Sequence, residues 1–540
     1  MNFTRPIQAI SLVLCVSVFS AAQGPAEQTP AGRQLAGWLA AYDGTDWDVY
    51  LTFLKANFAI QPRGGFLDPA LRDRTGGYDL KKIERVSPTE VTGLIQERVA
   101  DGLARFVLEV EPENPHRILK LDVTRIERRV EYPTAQGFHP QSELKSEATQ
   151  QTEIPKLPSP TGRFGVGRVS YEWVDVMRPD GHSTDPQAHR DLMVYLWYPS
   201  LKGKAKEIGE YLPGAKLMDA NSAVRPVMQE EFGTNWQFIV SGAVSSLAAE
   251  NAPVAASTKR FPVVILAHGL GGTSFEYTAL IEDLVSHGYV VAAIENTYMA
   301  AAVVFPDGRI IPSYHEPEPS NLSPDQRFQR MMKSAGQEID TGARDIVFVL
   351  NQLTELDNEN GEKFVLGRRL DLNRVATIGH SAGGANATLA CQLDARFKAC
   401  VSLDGAMPPF AAFPENPDAN WFTQPVLLLE VDHSGQRRGF SDAQNVEYFR
   451  KKENQLNKCP AGSYDVLLKS AGLLHASFSD YPLLSANGQS TETEVALHNL
   501  RLTESFTLAF LDKSLNHARE PLFDGDANSP EATITRYGQR

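Results

Sequence analysis

Cysteine is scarce, with 4 in 540 residues, and three of them, Cys391, Cys400 and Cys459, lie in the body of the chain. Three thiols allow at most one internal disulfide, so a cross-linked scaffold is excluded as the source of stability. No Cys/His spacing matches a zinc site and no glycine pattern matches a phosphate loop, so neither a metal nor an organic cofactor is expected. Basic residues are short as well: 52 Lys and Arg stand against 66 Asp and Glu, a net charge of −14. That balance argues against nucleic acid as a partner, because phosphate contacts need a basic face. Transient contact with a lipid surface through an apolar lip stays open. Long apolar runs are missing too. Ile7–Phe19 is too short for a comfortable membrane span. With Arg5 before it and Ser20-Ala21-Ala22 after it, it reads as a secretory signal over residues 1–22. The expectation is export without an anchor, to the periplasm or the medium.

What is present is enough for sizeable cores, with 42% hydrophobic and 22% charged residues. The chain is longer than one core usually holds, so two domains are expected. Over 32–130, Leu35, Trp38, Leu39 and Tyr42 recur at helical spacing, and Thr45 is a candidate cap for a second helix running to Phe58. "RFVLEVE" and "RILKLDV" then alternate as a hairpin across "EPENPH". This small α+β segment loosely resembles cystatin-like or NTF2-like domains and carries no catalytic motif. Residues 131–162, rich in Pro, Gln, Ser and Thr, read as a linker. Over 163–518, apolar strands alternate with helical patterns, the mark of a mostly parallel sheet. "FPVVILAH", "YVVAAIE", "RVATIG", "KACVSLD" and "PVLLLEVD" are strands, "YDVLLK" is expected to be the last, and Val495–Leu511 a closing helix. Residues 201–255 and 300–335 read as insertions that rim a pocket, and 519–540 as a C-terminal tail. "WQFIVSGAV" (236–244) suits a lipid-facing lip and a buried helix equally.

One short stretch carries chemistry. In "IGHSAGGA" a strand turns at once into a helix, and the glycines flanking Ser381 remove Cβ atoms that would collide at the bend. This is the G-x-S-x-G nucleophile elbow in its expected context. A serine hydroxyl needs a base, and the base needs an orienting acid. In chain order after Ser381, His475 follows the last expected strand. His433, His498 and His517 are weaker candidates, the last two suiting a solvated helical surface. Asp404 and Asp432 both close strands at the edge where functional groups collect, and either suits His475. For the oxyanion, the N–H of Ala382 is one donor, and the loop "AHGLGG" offers the N–H of Leu270 as the second.

"FPVVILAHGLGG", "SHGYVVAAIE", "RVATIGHSAGGA", "FKACVSLDGAM" and "LHASFSDY" together resemble the plasma-type platelet-activating factor acetylhydrolases, in order and approximate spacing from Gly165 to Asn516. The resemblance implies an α/β-hydrolase fold preceded by the small α+β domain. It also implies a serine esterase that releases short acyl chains from the second position of glycerophospholipids. It places the nucleophile on Ser381, the acid on Asp404 rather than Asp432, the base on His475 and the oxyanion donors on Leu270 and Ala382. Small Ala382 stands where relatives often carry a bulky aromatic, which leaves the acyl-length preference open. Rival readings are a broad carboxylesterase or polyester hydrolase and, in another class, a binding protein on a retained hydrolase frame.

Overall fold

The computed structural model describes residues 29–44, 47–59, 72, 75–98, 103–126, 154–183, 185–202, 208–257, 259–314, 319, 322–358, 364–405, 422–432, 442–485, 490–525 and 528–538. The chain divides into two compact units, Met1–Ser146 and Glu147–Arg540. The signal over 1–22, most of the 131–162 linker, Thr45 and His433 lie outside the described residues.

In the first unit, helix α1 (Pro30–Asp43) starts where Thr29 accepts a hydrogen bond from the Gly32 N–H at 3.0 Å. Proline at the first turn loses no helical bond there. Leu35, Trp38, Ala41 and Tyr42 form its buried stripe. Helix α2 (Trp47–Asn57) follows, then an antiparallel sheet of β1 (Tyr78–Val86), β2 (Glu90–Glu97), β3 (Leu103–Val110) and β4 (Ile118–Ile126). The expected hairpin is β3–β4. The pair β1–β2 was not expected; after Tyr78, β1 covers only Ile83 even partly, so it shows no apolar alternation.

In the second unit, β5 (Gly165–Pro179), β6 (His189–Ser200), β7 (Ile208–Glu210), β8 (Ser245–Glu250), β9 (Phe261–Ala267), β10 (Val290–Glu295), β13 (Leu370–His380), β14 (Phe397–Leu403), β15 (Val426–Glu430), β16 (Ser463–Leu468), β17 (Asn528–Ser529) and β18 (Ala532–Tyr537) form one sheet. A separate hairpin, β11 (Ala302–Val304) and β12 (Ile310–Pro312), lies in the second expected insertion. The sheet order is β17-β18-β16-β15-β14-β13-β9-β10-β6-β5-β8-β7. Its centre, from β10 to β16, is parallel, and the pairs outside that centre are antiparallel except for a short parallel contact of β5 with β8.

Strands buried on both faces read as unbroken apolar runs, and every residue of β9 is buried. Its alternate residues divide between two cores. Val263 and Ile265 pack with Ala343, Ile346 and Leu350 of the long helix Pro324–Asn358. Val264 and Leu266 join the core containing Leu280 and Leu284 of helix Thr278–Ser286 and Phe506 and Phe510 of helix Ser490–Asn516. Helices therefore cover both faces, as in the α/β-hydrolase fold.

Two expectations need correction. "YDVLLK" is not the final strand and 519–540 is not merely a tail. β18 pairs antiparallel with β16 from Ala532↔Leu468 to Tyr537↔Ser463, extending the sheet beyond an edge that would otherwise leave β16 unpaired. The 201–255 insertion folds into β7, three short helices and β8. In its "WQFIVSGAV", helix Trp236–Ser241 buries Trp236 and Ile239, while Phe238 and Val240 are half-buried and Gln237 and Ser241 exposed.

Cys391 and Cys400 form a disulfide across 9 residues, and Cys459 is free and buried. The bond ties helix Ala382–Leu393 to β14. Closing so short a loop contributes about 2–3 kcal/mol. The double variant Cys391→Ala/Cys400→Ala should lose that much in urea unfolding, and reducing agent should lower the wild-type midpoint but not the variant's. A midpoint indifferent to reductant in both would show that the pair does not stabilise the fold.

Candidate active site

Ser381 occupies a single-residue bend between β13 and helix Ala382–Leu393, with φ 56° and ψ −121°. A serine rarely adopts positive φ, so neighbouring contacts must impose it. They do so through glycine. A Cβ on Gly379 would lie 1.9 Å from the Gly383 carbonyl oxygen, and one on Gly383 would lie 2.3 Å from the Ala267 oxygen and 2.4 Å from the His268 oxygen. Strand and helix can approach this closely only with bare backbone at both positions. The Ser381 N–H donates to the Leu403 carbonyl at 3.0 Å, anchoring the bend to the next strand.

That next strand ends at Asp404, which also has positive φ, 50°. Its N–H donates to the Leu429 carbonyl at 2.8 Å, and its Oδ1 accepts the Val431 N–H at 3.2 Å. Its Oδ2 lies 2.5 Å from His475 Nδ1. The carboxylate is 1% exposed and the imidazole 48% exposed. The contact places the proton of the neutral ring on Nδ1, leaving Nε2 as its basic nitrogen. Asp432 is an exposed residue beyond β15. His498 instead meets Glu531 at 2.5 Å. His517 helps line a cavity of about 420 Å³ with Asn373, Phe397 and Pro425. That cavity opens at the amino-terminal ends of the strands, opposite Ser381, and is remote from this chemistry.

The loop after β9 lies against the serine: a Cβ on Gly269 would stand 3.5 Å from Ser381 Cβ. Its N–H groups are largely committed. Gly269 donates to the Tyr277 hydroxyl at 3.2 Å, Gly271 to the Met299 carbonyl at 2.8 Å and Gly272 to the Gly269 carbonyl at 3.1 Å. Among the described residues, the N–H groups of Leu270 and Ala382 have no acceptor. The N–H of Gly383 likewise has no acceptor among the described residues, so open amides alone do not single out the expected pair.

Two further histidines complete the surroundings, and sequence reasoning assigned neither a role. The Tyr277 hydroxyl, already accepting from Gly269, donates to His380 Nδ1 at 2.8 Å, so His380 Nε2–H donates to the His475 carbonyl at 2.9 Å. This chain ties the glycine loop to the segment bearing His475. Burial, with the nearby His475, pushes His380 down to about 3. His268 donates from Nδ1 to the Gly269 carbonyl at 2.7 Å and accepts the Asn296 N–H on Nε2 at 3.3 Å. Burial pushes it down to about 4. Asn296 in turn donates to Asp345, which Arg190 holds at 2.6 Å and Arg178 at 2.8 Å. The histidine beside Ser381 was visible in the sequence, but its partner Tyr277 lies over 100 residues upstream and no spacing links them.

Comparison with known proteins gives one consistent result. The family described as "Platelet-activating factor acetylhydrolase, isoform II" matches residues 148–532. A platelet-activating factor acetylhydrolase of Cavia porcellus is 25% identical over 433 residues, 73% of this chain and 87% of that protein. One of Gallus gallus is 24% identical over 68% of this chain and 85% of its own length. A probable 1-alkyl-2-acetylglycerophosphocholine esterase of Arthroderma benhamiae is 26% identical over 46% of this chain and 59% of its own. Among solved structures, a ferulic acid esterase from Streptomyces cinnamoneus superposes with a TM-score of 0.52 at 27% identity, covering 71% of this chain and 99% of that one.

The neutral state of His380 has a measurable consequence. An unfolded histidine titrates near 6.5, whereas folded His380 titrates at about 3. Between these values the unfolded chain binds a proton that the folded chain does not. Stability therefore falls on acidification through this window, by about 1.4 kcal/mol per pH unit for one such group. His380→Gln keeps an N–H donor and removes the titration. Its stability should fall less steeply between about pH 6 and pH 4 than wild type, read from urea midpoints across that range.

Proposed function

The chain belongs to the platelet-activating factor acetylhydrolase, isoform II family, and from that membership we propose that Ser381, Asp404 and His475 hydrolyse short-acyl esters of glycerophosphocholine through an acyl-enzyme. It is a carboxylic-ester hydrolase; the residue roles and the substrate are our reading. The observation that carries the roles is the 2.5 Å contact of His475 Nδ1 with the buried Asp404 carboxylate, on the edge where Ser381 tops its bend.

In this mechanism His475 Nε2 accepts the Ser381 Oγ proton as Oγ attacks the ester carbonyl. The charge that develops on the carbonyl oxygen is met by the N–H groups of Leu270 and Ala382; losing one such donor typically costs about 3 kcal/mol of barrier. As the tetrahedral intermediate collapses, His475 gives its proton to the departing glycerol oxygen. Water then loses a proton to the same nitrogen and attacks the acyl-enzyme. The free acid leaves and Ser381 regains its proton. Asp404 keeps the ring oriented and stabilises the imidazolium formed twice per turnover. No step calls for a metal or an organic cofactor.

The names of the relatives favour an acetyl group at the second position of an alkyl glycerophosphocholine. The likeness to a ferulic acid esterase favours a second reading, a broader carboxylesterase. We also assign the protein to an exported location. The leader-like residues 1–22 support this, as does a buried disulfide of the kind oxidising compartments maintain. No helix among the described residues is long and apolar enough to cross a membrane.

Three substitutions test the roles. Ser381→Ala should abolish both turnover and labelling by a fluorophosphonate probe. Asp404→Asn should lower turnover by about four orders of magnitude with the fold retained. Asp432→Asn should stay within a few-fold of wild type. Labelling that survives Ser381→Ala refutes the nucleophile, and the opposite ranking of the two aspartates refutes the acid. A panel of p-nitrophenyl esters against acetylated and long-chain phosphatidylcholines separates the two substrate readings.

A further inference from the structure

Beside the oxyanion loop lies an aromatic slot that the ester chemistry does not use. β6 runs antiparallel to β10 with Met193 opposite Glu295, so the turn before β6 overhangs the carboxyl end of β10. There the His182 ring lies between two tyrosines, its centroid 4.5 Å from that of Tyr298 and 4.6 Å from that of Tyr314. The Asp180 carboxylate closes the slot. Its Oδ2 accepts the Tyr298 hydroxyl at 2.8 Å, and its Oδ1 accepts the His182 backbone N–H at 3.0 Å. The tyrosines are fixed to each other and to the active-site loop. The Tyr314 N–H donates to the Tyr298 carbonyl at 2.9 Å, and Met299, the next residue, accepts from Gly271 at 2.8 Å. Tyr298 is held at φ 69°, a backbone state that a bulky residue adopts only where its surroundings impose it.

We infer that the slot between Tyr298 and Tyr314 is a subsite for a quaternary ammonium group, the trimethylammonium end of a phosphocholine ester. Asp180 supplies the counter-charge, and His182 fills the slot in the free protein. The inference rests on the proposed phosphocholine substrate. Three features argue for that ligand chemistry. Two aromatic rings, tilted 49° and 47° to that of His182, stand within the reach of cation–π attraction, about 6 Å from ring to cation. Asp180 sets a carboxylate at the edge of these rings, and a trimethylammonium group answers such a charge without needing a hydrogen bond to it. Position fits as well: β10 is two strands from β13, about 10 Å at ordinary strand spacing, which separates a headgroup from an ester rather than two parts of one acyl chain. His182 is an exposed side chain on a turn, and Tyr314 is 47% exposed, so the ring can leave without opening the core.

The test compares KM for 1-alkyl-2-acetylglycerophosphocholine with KM for p-nitrophenyl acetate, which has no headgroup. Tyr314→Leu should raise this ratio about tenfold, the loss of one cation–π wall. His182→Ala should lower it, because the slot then opens without displacement. In parallel, calorimetry on Ser381→Ala protein should detect phosphocholine but not glycerol phosphate, and adding Tyr314→Leu should weaken that binding. A ratio unmoved by Tyr314→Leu, or raised by His182→Ala, overturns the subsite and leaves the proposed reaction standing. Wild-type protein that binds phosphocholine yet hydrolyses no phosphocholine ester overturns the proposed substrate instead.

Discussion

The closeness of β13 to the helix that follows it governs the rest of the site. With 1.9 Å between a notional Gly379 Cβ and the Gly383 oxygen, no side chain fits on either residue. That contact forces the bend, and the bend forces Ser381 into positive φ, where its side chain tops the sheet edge instead of packing into a core. Gly383 also presses against the backbone at Ala267 and His268, which brings the glycine loop after β9 to the serine. Gly405, just past Asp404, repeats the theme: a Cβ there would lie 2.7 Å from the Ser381 carbonyl oxygen. The proposed nucleophile, the proposed acid and the glycine loop after β9 thus converge because small residues let three backbones meet.

Three histidines around that meeting point show environment setting function for one residue type. His268 and His380 are buried, and desolvation keeps them neutral, at about 4 and about 3 respectively. Each has a defined tautomer, His268 with its proton on Nδ1 and His380 with its proton on Nε2, and each spends both nitrogens on position. His475 is half exposed and faces a buried carboxylate. A neutral, fully bonded imidazole makes a sound strut and a poor base. His475 instead spends Nδ1 on the Asp404 carboxylate while its ring stays half exposed, which is the placement the proposed general base requires.

The parts of this architecture that were legible in the sequence share a cause. β9, β10, β13, β14 and β15 are buried on both faces, so their apolar runs stand out against any background. Ser381 was legible because its glycines answer a steric need that nothing else satisfies. β1 was hidden because it exposes nearly all its side chains, and β18 because "ATITRY" is short and half polar. Asp404 and Asp432 looked alike as strand-end acids; what separates them is the backbone that turns Asp404 inward to a 1% exposed position, a tertiary property. Tyr277 was hidden for a related reason. Its role depends on a hydroxyl meeting a histidine that only the sheet brings near.

The loop carrying His475 shows how the insertion and the parent fold share one task. Five residues on, Asp480 is buried and receives three elements at once. Its N–H donates to the Glu276 carbonyl at 2.6 Å, and its carboxyl group accepts the Ala279 N–H at 3.3 Å and the Tyr211 hydroxyl at 3.2 Å. Tyr211 belongs to the 201–255 insertion, and Asn235 of the same insertion donates to the Leu484 carbonyl. Burial raises the Asp480 carboxyl group well above the usual carboxylate range, with neighbouring Glu282 and Glu504 adding to the rise. A neutral acid tolerates this site where an ionised one would face several buried acids. The insertion is therefore more than a rim around a pocket. By gripping the segment after His475 from one side while His380 holds its backbone from the other, it fixes the proposed base, which follows β16, against the proposed acid at the end of β14, two strands away.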